Sequence, residues 1–132
     1  MAKIWIVEDD RNLANLTKIA LVKNGYDVAV FHEAIKSIEE AKKQKPDLIL
    51  MDIMLPELSG AEAVKALRKD PNSKDIQVIF LTGLISSGED ALEETGITVD
   101  GINYKTLGKP YEIEQLLKLV ESALRYKGRG VF

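Results

Sequence analysis

The chain has 132 residues, of which 18 are Lys or Arg and 21 Asp or Glu, giving a formal net charge of −3 with 45% hydrophobic residues. That balance fits one globular domain, and the mild acidity offers no electrostatic ground for direct nucleic-acid binding. The absence of cysteine excludes thiol catalysis, Cys-ligated zinc and iron–sulfur clusters, and the single histidine, His32, excludes a His-rich metal site.

Short apolar runs alternate with longer amphipathic stretches. The first strand is expected at 3–7, and Trp5 within it is expected in the core. Glu8-Asp9-Asp10 then cuts off the apolar run before a signal peptide can form, and Asp10 has the position of a helix cap. A helix over 11–24 follows, with Leu13, Leu16 and Ala20 on its inner face and Gly25 as its stop. Next come a strand at 27–31, with His32 expected at the surface, and a helix marked by Ile35, Ile38 and Ala41 that ends before Pro46. After a strand at 47–51, Ser59-Gly60-Ala61-Glu62 has the spacing of a capping box and opens a helix that stops near Asp70-Pro71. A strand at 77–81 precedes a short helix announced by Ser86 and Glu89. The fifth strand is expected at 101–107. The last helix is the most periodic, carrying Ile113, Leu116, Leu117, Val120 and Leu124 on one face.

Five β-α units predict an α/β fold of flavodoxin-like, (βα)5 doubly wound type. Its five-stranded parallel sheet is expected in the order 2-1-3-4-5. The domain is expected over 1–127, with a short tail at 128–132, no output domain and a cytoplasmic location. The apolar runs are about four residues long, far short of the roughly 20 that a membrane helix needs.

Ligands in such sheets bind beyond the carboxyl ends of the strands, at the point where the strand order reverses. Strand one closes with Glu8, Asp9 and Asp10, strand three reaches Asp52, strand four Thr82, and strand five runs into Lys109-Pro110. Clustered carboxylates repel one another unless a cation relieves them, and all-oxygen ligands favour Mg²⁺, or Mn²⁺, over zinc. With a lysine and a hydroxyl nearby, these are the parts of a phosphoryl-transfer site built around a carboxylate nucleophile.

Four segments together carry a resemblance to a known family: 6–10 (Ile-Val-Glu-Asp-Asp), 48–60 (Leu-Ile-Leu-Met-Asp-Ile-Met-Leu-Pro-Glu-Leu-Ser-Gly), 81–83 (Leu-Thr-Gly) and Lys109-Pro110. Their order and spacing, 43, 30 and 27 residues from Asp9 to Asp52 to Thr82 to Lys109, resemble the receiver domain of two-component response regulators. The resemblance implies that Asp52 accepts a phosphoryl group from a sensor histidine kinase or a phosphotransfer protein. It implies Mg²⁺ held by Asp9, by Glu8 through water, by Asp52, and by the main-chain carbonyl of Met54. Thr82 and Lys109 would grip the phosphoryl oxygens, and the Lys109–Pro110 bond is cis at the matching place in the family. Output would be phosphorylation-controlled binding of a downstream protein by a monomer or weak dimer, not substrate turnover, on the face made by the helix after strand four, strand five and the last helix.

Two departures stand out. The position three before the lysine, usually an aromatic switch that works with Thr82, holds Thr106, while Tyr104 lies five before it, so the role falls to Thr106 or, through a bulge, to Tyr104. The positions two past Asp52 and Thr82 hold Met54 and Leu84, neither of which orients water, so slow hydrolysis of the aspartyl phosphate is expected. Three other classes fit less well. A dehalogenase-type phosphatase wants a second acid where Met54 stands, and a flavodoxin-like FMN binder would be repelled at Glu8-Asp9-Asp10. A pseudo-receiver binding partners without phosphorylation would not need so complete a site.

Overall fold

The computed structural model describes residues 1–83 and 97–125. The chain runs β1 (Lys3–Val7), α1 (Arg11–Lys23), β2 (Asp27–Phe31), α2 (Ala34–Gln44), β3 (Leu48–Asp52), α3 (Gly60–Lys69) and β4 (Gln77–Thr82). It continues as β5 (Ile97–Val99), β6 (Ile102–Tyr104), β7 (Thr106–Gly108) and α4 (Ile113–Arg125). Five strands form one parallel sheet in the order β2-β1-β3-β4-β7, the winding expected, with β7 as the fifth strand. Among the described residues no helix is long and apolar enough to cross a membrane.

The continuous apolar runs are explained by cover on both faces. Along β1, Trp5 and Val7 face α2 and α3, while Ile4 and Ile6 face α1 and α4. β3 and β4 divide in the same way: Ile49, Met51, Val78 and Phe80 lie on the first side, and Leu48, Leu50, Ile79 and Leu81 on the second. Trp5 is 2% exposed and rests against Phe31, its ring centroid 4.6 Å away.

Local signals set the helix ends. Asp10 caps α1 by accepting from the Leu13 N–H, and Gly25 follows that helix at φ +89°. Ser59 and Glu62 close a capping box on α3. The inner stripe of α1 differs from the expected one: Ala14, Thr17 and Leu21 are buried, and Leu16 is 63% exposed. Thr17 reads as polar but is buried without penalty, because its hydroxyl donates to the Leu13 carbonyl at 2.9 Å. Ile35 likewise points outward, and Ala34, Ser37, Ile38 and Ala41 form the inner stripe of α2.

The expected strand over 101–107 is replaced by two features. Asp100 and Gly101 both have positive φ, 52° and 83°, the signature of a tight hairpin turn, and they fold β6 back antiparallel onto β5. The chain then joins the main sheet only at Thr106, the Cα partner of Phe80. The Asp-Gly pair between Ile97-Thr98-Val99 and Ile102-Asn103-Tyr104 is the sequence signal for this hairpin. The helix expected from Ser86 and Glu89, Leu84, and the tail at 128–132 lie outside the described residues.

Gly60 is held by space, since a Cβ there would stand 2.8 Å from Phe80 Cε1 and 3.0 Å from Ile53 Cα. Gly60→Ala should therefore lose about 1–3 kcal/mol to overpacking, more than the gain in helix propensity returns. Urea unfolding should show a lower midpoint at unchanged slope, and an unchanged midpoint would remove the steric reading.

Candidate functional site

Register assembles the site. Val7 pairs with Met51, Asp52 with Leu81, and Thr82 with Gly108, so the carboxyl ends of β1, β3, β4 and β7 finish level. Glu8 and Lys109 are the next residues out from β1 and β7. The Glu8 N–H donates to the Phe31 carbonyl at 2.9 Å, and the Lys109 N–H donates to the Thr82 carbonyl at 2.8 Å. The Lys109–Pro110 peptide is cis, as the resemblance implied.

Two buried carboxylates meet one ammonium. Glu8 is 1% exposed and Asp52 5% exposed. The Lys109 ammonium contacts Glu8 Oε1 and stands 3.0 Å from Asp52 Oδ2. Glu8 Oε2 accepts from the Asp10 N–H at 3.1 Å, and Asp52 Oδ1 accepts from the Met54 N–H at 3.0 Å. Carboxylate oxygens of Glu8, Asp9 and the phosphoacceptor candidate Asp52 lie within 4.8 Å of one another, with Asp9 exposed to solvent. Such a hard, all-oxygen set with one open side suits Mg²⁺, which takes one or two carboxylates and keeps several waters. The residues present fit that ion.

Burial raises the pKa of Glu8; the Lys109 and Asp10 hydrogen bonds oppose the rise, and the charge of Asp52 adds to it. For Lys109, burial works against the charge, but the hydrogen bonds to Glu8 and Asp52 outweigh it and the pKa rises. The ammonium is thus committed to its charged form. Thr82, 2% exposed, closes β4 beside it.

Of the residues singled out in the sequence, Glu8, Asp9, Asp52, Thr82 and Lys109 come together. Met54 borders them through its backbone, and its side chain is 61% exposed. Tyr104 is elsewhere: its hydroxyl accepts from Arg68 Nε at 3.0 Å and its ring sits edge-on to Phe80, 5.6 Å between centroids. Thr106 is buried beside the same Phe80 in register.

Three residues take part in contacts that the sequence did not assign. His32, expected at the surface, is half-buried, with Nδ1 2.8 Å from the Glu8 carbonyl oxygen. Glu57, in the loop after Asp52, accepts from the Ala34 N–H at 3.1 Å and caps α2, which has no cap of its own. Tyr111, two residues past Lys109, places its hydroxyl 2.6 Å from Thr17 Oγ1. Each pairing spans more than twenty positions, and no short-range pattern announces it.

A doubly wound sheet that ends in an acid cluster bridged by one lysine defines a receiver domain of two-component signalling. Residues 4–121 match the response regulator receiver domain family, and the chain belongs to it. It is 36% identical over 125 residues to the uncharacterized transcriptional regulatory protein YkoG of Bacillus subtilis, covering 95% of this chain and 52% of that one. It is 35% identical over 129 residues to the DNA-binding dual master transcriptional regulator RpaA of Synechocystis sp., covering 98% and 52%. The chain thus spans about half the length of the curated relatives it matches. Among solved structures, the receiver domain of sensor histidine kinase PA1611 from Pseudomonas aeruginosa, with a magnesium ion coordinated in its active-site cleft, aligns with a TM-score of 0.78. It is 26% identical, over 94% of this chain and 98% of that one. A CheY-like receiver from Methanospirillum hungatei aligns with the same TM-score at 25% identity, over 99% of each chain.

The raised Glu8 pKa means that, without metal, the folded state holds this proton more tightly than the unfolded chain does. Its contribution to stability is complete below about pH 4.5, the group's ordinary value, and is lost as pH rises through the folded value. Urea unfolding in chelator from about pH 4 to about pH 8 should show Glu8→Gln gaining on the wild type as pH rises. Parallel curves would remove burial of Glu8 as a charge penalty.

Proposed function

We propose that this domain accepts a phosphoryl group on Asp52 from a histidine kinase or phosphotransfer protein, in a Mg²⁺-dependent reaction, and signals by phosphorylation-controlled binding. The observation that carries this reading is the place of Asp52: buried at the end of the central strand, its carboxylate within 4.8 Å of those of Glu8 and Asp9 and 3.0 Å from the Lys109 ammonium that also contacts Glu8. A carboxylate oxygen of Asp52 forms the new P–O bond as the donor's P–N bond breaks, and the donor histidine leaves with the electron pair. Glu8, Asp9, Asp52 and the Met54 carbonyl would hold the metal, which when bound would supply neutralisation of charge on the transferred group. Lys109 swings its contact from the Asp52 carboxylate to a phosphoryl oxygen, and Thr82 supplies a hydrogen bond to another. Relay to the partner-binding face passes from Thr82 to Thr106 or Tyr104, both packed beside Phe80.

The second reading, a pseudo-receiver, gains one point of support. Thr106 stands where the family usually has an aromatic switch, so this chain's output rests on a different device.

Intact mass after incubation with Mg²⁺ and acetyl phosphate or phosphoramidate tests the proposal directly. One phosphoryl mass should appear on the wild type only, and only with metal. Asp52→Asn should stay unmodified, and modification of both proteins would overturn the assignment. Failure of small donors and of a promiscuous histidine kinase alike would leave the pseudo-receiver. Once the donor is removed, Met54→Asn should lose the group faster than the wild type.

Metal binding has its own readout. At about 100 times its dissociation constant, Mg²⁺ should add about 2.7 kcal/mol to unfolding stability, and Asp9→Asn should remove most of it. A melting temperature that responds to zinc but not to Mg²⁺ would count against the ligand set.

A further inference from the structure

Tyr111 lies just past Lys109-Pro110 and is mostly buried against α1. Its hydroxyl is 2.6 Å from Thr17 Oγ1. Thr17 spends its own proton on the Leu13 carbonyl, 2.9 Å away, so Tyr111 is the donor in the pair. Burial raises the pKa of Tyr111 and the charge of Glu8 reinforces the rise, so the hydroxyl stays protonated and able to donate. The two chain segments joined here carry opposite sides of the site. α1 begins at Arg11 and is capped by Asp10, the residue after Asp9, which accepts from the N–H of Leu13, the residue whose carbonyl holds Thr17. The other segment is the turn that presents Lys109.

Folding makes little demand on this bond. Without Tyr111 Oη, the Thr17 proton still has the Leu13 carbonyl, so no buried donor is stranded. What is lost is a strut between the acid side of the site and the lysine side. Resting on the phosphoacceptor reading above, we propose that Tyr111 is a positioning residue for phosphoryl transfer, holding the Lys109 turn at a fixed distance from α1 through Thr17. A lysine that grips a phosphoryl oxygen only in the transition state loses rate when its turn drifts, whereas the metal ligands, on β1 and β3, are untouched.

The test is the rate of phosphorylation of the full chain by acetyl phosphate with saturating Mg²⁺, followed by intact mass. Wild type is run beside Tyr111→Phe, Thr17→Val, Thr17→Ser and the Tyr111→Phe/Thr17→Val double variant. Tyr111→Phe should be slower by roughly three- to tenfold, the range of one lost hydrogen bond, at unchanged Mg²⁺ affinity and nearly unchanged melting temperature. Thr17→Val should match it, Thr17→Ser should keep the wild-type rate, and the double variant should be no slower than either single one. A Tyr111→Phe rate within about twofold of wild type overturns the proposal. So does a slowdown accompanied by parallel losses of Mg²⁺ affinity and melting temperature, which is the mark of a general structural role. A wild type that accepts no phosphoryl group from acetyl phosphate or from a promiscuous histidine kinase sinks the phosphoacceptor reading itself, and this inference with it.

Discussion

The structure turns on two buried carboxylates placed side by side. Glu8 and Asp52 end adjacent parallel strands, both nearly inaccessible to water, and their mutual repulsion adds to the desolvation of each. Without metal, the Lys109 ammonium relieves that repulsion by contacting both, helped by one backbone N–H on each, that of Asp10 on Glu8 and that of Met54 on Asp52. A buried charge cluster of this kind is a poor way to stabilise a fold, because well-packed apolar groups would do as well or better. What the arrangement offers instead is an all-oxygen cluster of Glu8, Asp9 and Asp52 with one open side, a donor set that suits a hard cation.

The rest of the fold serves that constraint. Apolar cover on both faces of the sheet makes the strands rigid and forces their register, and register brings four sequence-distant residues to one edge. Hydrogen bonds then hold the surrounding loops. The Met54 N–H fixes Asp52, Glu57 fastens the loop after β3 to α2, and His32 lies against the Glu8 carbonyl. Gly60 lets that same loop return close over Phe80.

The far side of the sheet departs from the family. Where an aromatic residue usually completes strand five, the chain has Thr106, and it places its tyrosine one strand earlier, on the hairpin, bonded to Arg68 of α3. The aromatic group is thereby tied to α3 rather than placed on the strand that leads to Lys109.

The parallel winding, the helix caps at Asp10 and Ser59, and the convergence of Glu8, Asp9, Asp52, Thr82 and Lys109 on one edge of the sheet were legible in the sequence. Each rests on short-range signals: periodicity, cap spacing, and the fact that strand ends carry the polar residues. Leu16 and Ile35 misled because apolar character does not say which of two adjacent helical stripes faces the sheet. Thr17 was overlooked because a polar residue becomes a good core residue only once its hydroxyl finds partners, one of them 94 positions away. The Arg68–Tyr104 bond and the Thr17–Tyr111 strut were decided by tertiary structure alone. They depend on which surfaces meet once the sheet has closed its register, and no local pattern encodes a contact between segments that are strangers in sequence.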